Sequence, residues 1–158
     1  MIETIENYCK TNDYEDFEKI GNEFVFYVDW REFDDAIVEY CESRIQTGFL
    51  SAELNDDVLS INYDGNNFQT KITDSRDTTL KFLNKILLPK YEIRFCSITF
   101  PSDTLGFIIL SSEKWREVEK RVSKVKLEKV FEPIRENSKM FEREFKIEFD
   151  DNIKLDLE

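Results

Sequence analysis

Along this chain the apolar positions switch between a helical spacing of three to four and the alternation of strands, and each switch marks a new element. Ile2, Ile5 and Cys9 share one face, as do Tyr14, Phe17 and Ile20, so residues 2–10 and 14–20 are predicted as two short helices around Thr11-Asn12-Asp13. Gly21-Asn22 ends that pair, and residues 23–28, rich in Phe, Val and Tyr, read as a buried strand. Asp29-Trp30-Arg31-Glu32 fits a capping box, with Asp29 as N-cap, Glu32 at N3, and Val28 with Phe33 as the hydrophobic staple. The helix that follows carries Phe33, Ala36, Ile37, Tyr40 and Cys41 on its apolar side. Arg44 intrudes on that stripe, reaching to solvent or to the last carbonyls, and Gly48 supplies the stop.

Alternation returns in residues 49–54 and 58–63, a predicted hairpin about Asn55-Asp56-Asp57; a second turn at Asp64-Gly65-Asn66-Asn67 leads to a third strand at 68–72. Asp74 is placed to cap a helix over 75–87, with Leu80, Leu83 and Leu87 inward and Pro89 closing it. Residues 91–97 set Tyr91, Ile93 and Phe95 against Glu92 and Arg94; a loop at 99–104 precedes an apolar strand at 105–110. Ser112 is expected to cap a helix presenting Trp115, Val118 and Val122. Residues 124–137 either prolong that helix or form an edge strand, with Pro133 interrupting both. Phe145, Ile147 and Phe149, then Ile153, Leu155 and Leu157, predict a C-terminal hairpin at about 143–157 around Asp150-Asp151-Asn152. The pattern is α+β: a mixed, mainly antiparallel sheet with helices packed on it, in a single domain over residues 1–158.

Composition narrows the class. The chain is 41% hydrophobic with 22 aromatic residues, too apolar for a disordered acidic tail, and its 4 Gly and 3 Pro leave little for long linkers. The opening residues lack a basic start followed by an apolar core, and the longest apolar runs, at 86–89 and 107–110, are far too short to cross a bilayer, so a cytoplasmic location is expected. Cys9, Cys41 and Cys96 are odd in number and lack a CxxC spacing, which suits reduced, buried thiols. With no histidine, the usual general base and the commonest zinc ligand are both missing. No catalytic residue, metal or cofactor is assigned.

The charge is lopsided. Residues 1–57 carry 16 acidic and 4 basic side chains, a balance of −12 that equals the net charge of the whole chain. Such a surplus steers a basic partner and repels nucleic acid and anionic membrane. Asp34, Asp35, Glu39 and Glu42 form an acidic ridge on the helix that begins near residue 30, and no Lys at i,i+4 relieves the line Asp35–Glu39–Glu42. Asp56 and Asp57 add to it from the first hairpin turn. Trp30, beside the ridge, and Asp103, in the loop at 99–104, complete the candidate partner-binding set. Glu92-Ile93-Arg94 also resembles half of a metal-dependent nuclease site, with Asp77 or Asp103 as the missing acid; a salt bridge between strands is the simpler reading, since an acidic protein repels DNA.

Length, acidity, a low-glycine α+β pattern and the missing catalytic apparatus together resemble the immunity proteins of bacterial contact-dependent and polymorphic toxin systems. Asp29-Trp30-Arg31-Glu32, Tyr91-Glu92-Ile93-Arg94 and Ser102-Asp103-Thr104 before Leu105-Gly106-Phe107 are the motif-like segments. The resemblance implies a small binding protein, monomer or weak dimer, that docks on a positively charged toxin domain, often a nuclease, by plugging its cleft or by holding an exosite. A DNA mimic or other acidic regulator of a nucleic-acid-binding protein is the alternative, and a metal-dependent nuclease or hydrolase the third.

Overall fold

The computed structural model describes residues 1–145, so the hairpin expected at about 143–157 lies outside the described residues but for its first three. In chain order the elements are α1 (Ile2–Thr11), α2 (Tyr14–Ile20), β1 (Val25–Asp29), α3 (Asp34–Ile45), β2 (Leu50–Asn55), β3 (Val58–Tyr63), β4 (Asn66–Lys71), α4 (Arg76–Leu87), β5 (Tyr91–Cys96), β6 (Thr104–Ser111), α5 (Ser112–Arg121), α6 (Lys124–Val130) and β7 (Phe131–Pro133). The fold is α+β with two antiparallel sheets rather than one: β1-β6-β5-β7, and the meander β2-β3-β4.

The four-stranded sheet separates two apolar layers. Its central strand β6 is buried along nearly all of its length, which explains a continuous apolar run where a half-exposed strand would alternate. Leu105, Phe107 and Ile109 point into a layer built with Ile37, Val38 and Cys41 of α3, Leu80, Leu83 and Leu87 of α4, and Leu59 and Ile61 of β3. Ile108 and Leu110 point the other way, against Ile5 and Tyr8 of α1, Phe17 of α2, Trp115 and Val118 of α5 and Leu127 of α6. The smaller sheet therefore acts as a lid over α3 rather than as an extension of the main sheet.

Several helix ends differ from the sequence expectation for local reasons. Ser75, not Asp74, caps α4, its hydroxyl accepting from the Asp77 amide at 3.1 Å. Ser111, not Ser112, caps α5 through the Lys114 amide. Residues 124–137 do not prolong α5: the helix breaks at Val122, Ser123 caps a separate helix α6 that runs to Val130, and β7 takes the edge-strand alternative, pairing with β5 for three residues before Pro133 ends it. The β3–β4 turn is the two-residue Asp64-Gly65 with both residues at positive φ, so β4 starts two residues earlier than expected. Gly106 is needed for close approach: a Cβ there would stand 2.8 Å from Thr99 Cγ2 and 3.2 Å from the Tyr27 ring.

Candidate protein-docking site

Asp29-Trp30-Arg31-Glu32 is a turn, not a capping box. Asp29 still belongs to β1; its carbonyl accepts from the Glu32 amide at 2.9 Å and its carboxylate from the Arg31 amide at 2.8 Å. That amide, then the Arg31 charge and the Thr104 hydroxyl, hold the Asp29 carboxyl below its ordinary range. Helix α3 begins at Asp34, with Phe33 at the N-cap and no side-chain cap. Phe33 consequently staples nothing and is 70% exposed, with Trp30 beside it at 50%. Locally the Asx turn satisfies the same carboxylate that a helix cap would have used, and pairing with β6 selects it: the Trp30 amide donates to the Asp103 carbonyl at 3.0 Å, extending the β1–β6 ladder.

That bond joins two of the expected partner-binding residues, Trp30 and Asp103, across 73 positions of sequence. Between them opens a cavity of about 300 Å³ at the end of the main sheet. Its floor is Phe100, Leu105, Met140 and Phe141; Trp30 forms a wall, and the exposed carboxylates Asp74, Asp103 and Glu142 stand around the mouth. Arg76 also lines it, but its charge is committed inward. Nη1 donates to the Glu32 carbonyl at 2.6 Å and lies 3.5 Å from the Asp34 carboxylate, and Nη2 donates to the Thr73 carbonyl at 2.7 Å.

The segment Met140–Glu142, which lines the cavity, has its own anchor. The buried carboxylate of Asp77, in the first turn of α4, accepts from all three of their amides at 2.9–3.2 Å. Three N–H donors satisfy a carboxylate that has no ion-pair partner among the described residues, which is how an irregular segment can be fixed against a helix N-terminus. Sequence reading had no access to this role for Asp77, nor to the contributions of Asp74, Arg76, Phe100 and Glu142, because each acts across long sequence separations.

The acidic ridge is shorter than expected. Asp34 is 1% exposed: its carboxylate faces Arg76 and accepts from the Thr79 hydroxyl, so it is a core ion-pair member. Glu42 turns back on its own helix end, accepting from the Gly48 amide at 2.5 Å and the Thr47 hydroxyl at 2.7 Å. Asp57 pairs with Lys71 at 3.3 Å. Asp35, Glu39 and Asp56 keep no ion-pair partner among the described residues. Arg44 is half-buried rather than reaching the last carbonyls of α3; its Nε donates to the Val25 carbonyl on the free edge of β1 at 3.0 Å.

The structure also divides the opening third. The helices α1 and α2 pack in one layer and α3 in the other, so the main sheet stands between their carboxylates. Glu6 is relieved by Lys10 and Arg121, and Asp16 by Lys19. What gathers instead is a pole. The N-terminal ends of α3 and α4, the end of β1, the start of β6 and the β2–β3 turn meet there, tied by Arg76 to Glu32 and Asp34, by Trp30 to Asp103, and by the Ile72 amide to the Asp57 carbonyl at 2.8 Å. Two helix N-termini favour the carboxylates in their first turns, which makes the local surplus tolerable.

Glu92 and Arg94 form an ion pair within one strand at 2.7 Å, not between strands, and Arg94 continues to Glu119 on α5 at 3.0 Å with its guanidinium 4.1 Å from the Trp115 ring centre. Asp77 lies on the opposite face of the sheet and Asp103 at its end, so neither joins Glu92. No group of three or more Cys, Asp or Glu side chains among the described residues is placed to hold a metal. All three cysteines are free and buried; burial pushes the Cys9 thiol up to about 11 and raises Cys41 and Cys96 as well. Among the described residues no helix is long and apolar enough to cross a membrane. No protein-family model, curated protein or solved structure matches the chain.

Proposed function

We propose that this protein is an acidic docking module that neutralises a basic protein partner, and that the partner is a toxin effector domain of the kind blocked by bacterial immunity proteins. The observation that carries the reading is the pole: exposed Trp30 and Phe33 beside Asp35, Asp74 and Asp103, none of these three with an ion-pair partner among the described residues. Large exposed aromatics flanked by same-sign charge suit an interface in which a few central anchors give residence time and the surrounding field gives encounter rate. A net charge of −12 supports the same direction, since toxin domains that grip phosphate present basic clefts.

The test is co-expression with the basic effector domains encoded in the genomic neighbourhood of this chain. The expected result is survival of cells that the effector alone kills, together with a one-to-one complex on gel filtration. Neither protection nor a complex with any such domain overturns the reading.

A further inference from the structure

The cavity between Trp30 and Asp103 matches a particular fragment of a partner, and we infer that it is a socket for a single arginine side chain projecting from the basic surface that docks on the pole. This rests on the proposed function and goes further by naming which chemistry enters which site. At about 300 Å³ the cavity lies at the bottom of the range for ligand pockets, room for one side chain and its flanking atoms rather than for a cofactor. The apolar floor of Phe100, Leu105, Met140 and Phe141 accommodates a three-carbon stem. The mouth carries Asp74, Asp103 and Glu142, while the one cation in the lining among the described residues, Arg76, faces Asp34 and donates to two carbonyls from its terminal nitrogens. The lining is therefore negative over an aromatic and aliphatic base.

Arginine suits this arrangement better than lysine for geometric reasons. A planar guanidinium stacks on an indole face and donates to two carboxylates at once, and it sheds its weaker hydration shell more readily than an ammonium does. The chain already shows that the Trp30 indole accepts a guanidinium: the Arg31 carbon Cζ sits 5.3 Å from the ring centre on the exposed side of the turn. The anchors are also stiff. The Trp30 amide is fixed to Asp103, and the Met140–Glu142 segment is fixed to Asp77, so the socket is preorganised rather than assembled on contact.

The experiment is an NMR titration of the full chain with N-acetyl-arginine amide and, separately, N-acetyl-lysine amide at constant ionic strength. The two tryptophans provide a built-in reference, because Trp115 is buried with its indole N–H donating to the Glu92 carbonyl at 2.9 Å. We expect the Trp30 indole and the Asp103 and Phe141 amides to shift saturably while Trp115 stays fixed. Arginine amide should bind at least about threefold more tightly than lysine amide, and Asp74→Asn with Asp103→Asn should weaken it about tenfold while leaving the Trp115 signal in place, a mark of an intact fold. A non-saturating response, shifts of equal size at Glu15 and Glu39, or an undiminished response in the double variant overturns the socket. The probe contains no partner protein, so the outcomes separate: a protective complex with a silent titration removes the socket alone, and a positive titration with no protective partner removes the proposed function alone.

Discussion

Asp34 and Asp35 are adjacent, chemically identical and opposite in fate. Helical geometry turns one by about 100° from the other, and here that rotation carries Asp34 into the core against Arg76 and Thr79 while Asp35 stays at the surface. Asp34→Ala leaves an Arg76 side chain that is only 12% exposed without its counter-charge, and the expected loss is about 3 kcal/mol in urea unfolding. Asp35→Ala removes one favourable carboxylate from a helix N-terminus and should cost under about 1 kcal/mol. Equal losses in the two variants would place both side chains in the same environment and contradict the buried pair. Trp30 gives the complementary case: as a helical residue it had equal reason to face core or solvent, and the turn leaves it half exposed.

Among the elements, α4 matters most for the site, although its own surface contributes little charge to it. Its first turn supplies Asp77 as a triple acceptor for the Met140, Phe141 and Glu142 amides, and its cap region supplies Asp74 and Arg76 to the cavity. Replacing Asp77 with Ala strips three buried or half-buried amides of their acceptor at once. Thermal or urea unfolding should report a loss of about 2–4 kcal/mol, with hydrogen exchange accelerated at residues 140–142 and unchanged in α1. Exchange that stays slow at 140–142 would mean that packing by Met140, not the carboxylate, fixes the segment. The β1–α3 connection is the element most misread from sequence. Ser/Thr/Asp/Asn followed by Glu at the third position satisfies both a capping box and an Asx turn, and a single segment contains nothing to choose between them. The ladder to β6 chooses, because a turn lets Trp30 make one more bond to Asp103.

For the whole molecule, the distribution of charge counts for more than its sum. The main sheet separates the carboxylates of α1 and α2 from those of α3, so two acidic regions replace the single face expected from the opening third. This gives the docking hypothesis a comparison within one protein. Reversing Asp35 and Glu39 to Lys is expected to slow association with a basic partner by about tenfold or more at low salt and to flatten its salt dependence, with a smaller change in dissociation. Reversing Glu15 and Glu18, in the other layer, changes net charge by the same amount and should slow association much less. Stopped-flow rates at several salt concentrations distinguish the two; equal slowing would mean that total charge, not the pole, steers the encounter. Glu42 is left out of the reversal because its carboxylate closes the end of α3 on Gly48 and Thr47, so its loss would mix stability with binding.

The sequence by itself determined the kind of most elements up to α5, because period and turn chemistry are local: the helical stripe Ile37-Cys41, the alternation through β2 and β3 and the Asp64-Gly65 turn all act within a few residues. It also determined the net charge and the absence of histidine, which no fold can alter. Only the tertiary structure decided which carboxylates remain available to a partner. An acidic residue shows the same letter whether it faces water, closes a helix or lies against an arginine brought from 42 positions away, as Asp34 does against Arg76. The same holds for the cavity, whose walls come from four separated segments: an aromatic at position 30, a loop at 100–105, a helix start at 74–76 and a strap at 140–142. Their meeting follows from the packing of two layers on one sheet, a long-range arrangement that local spacing does not encode.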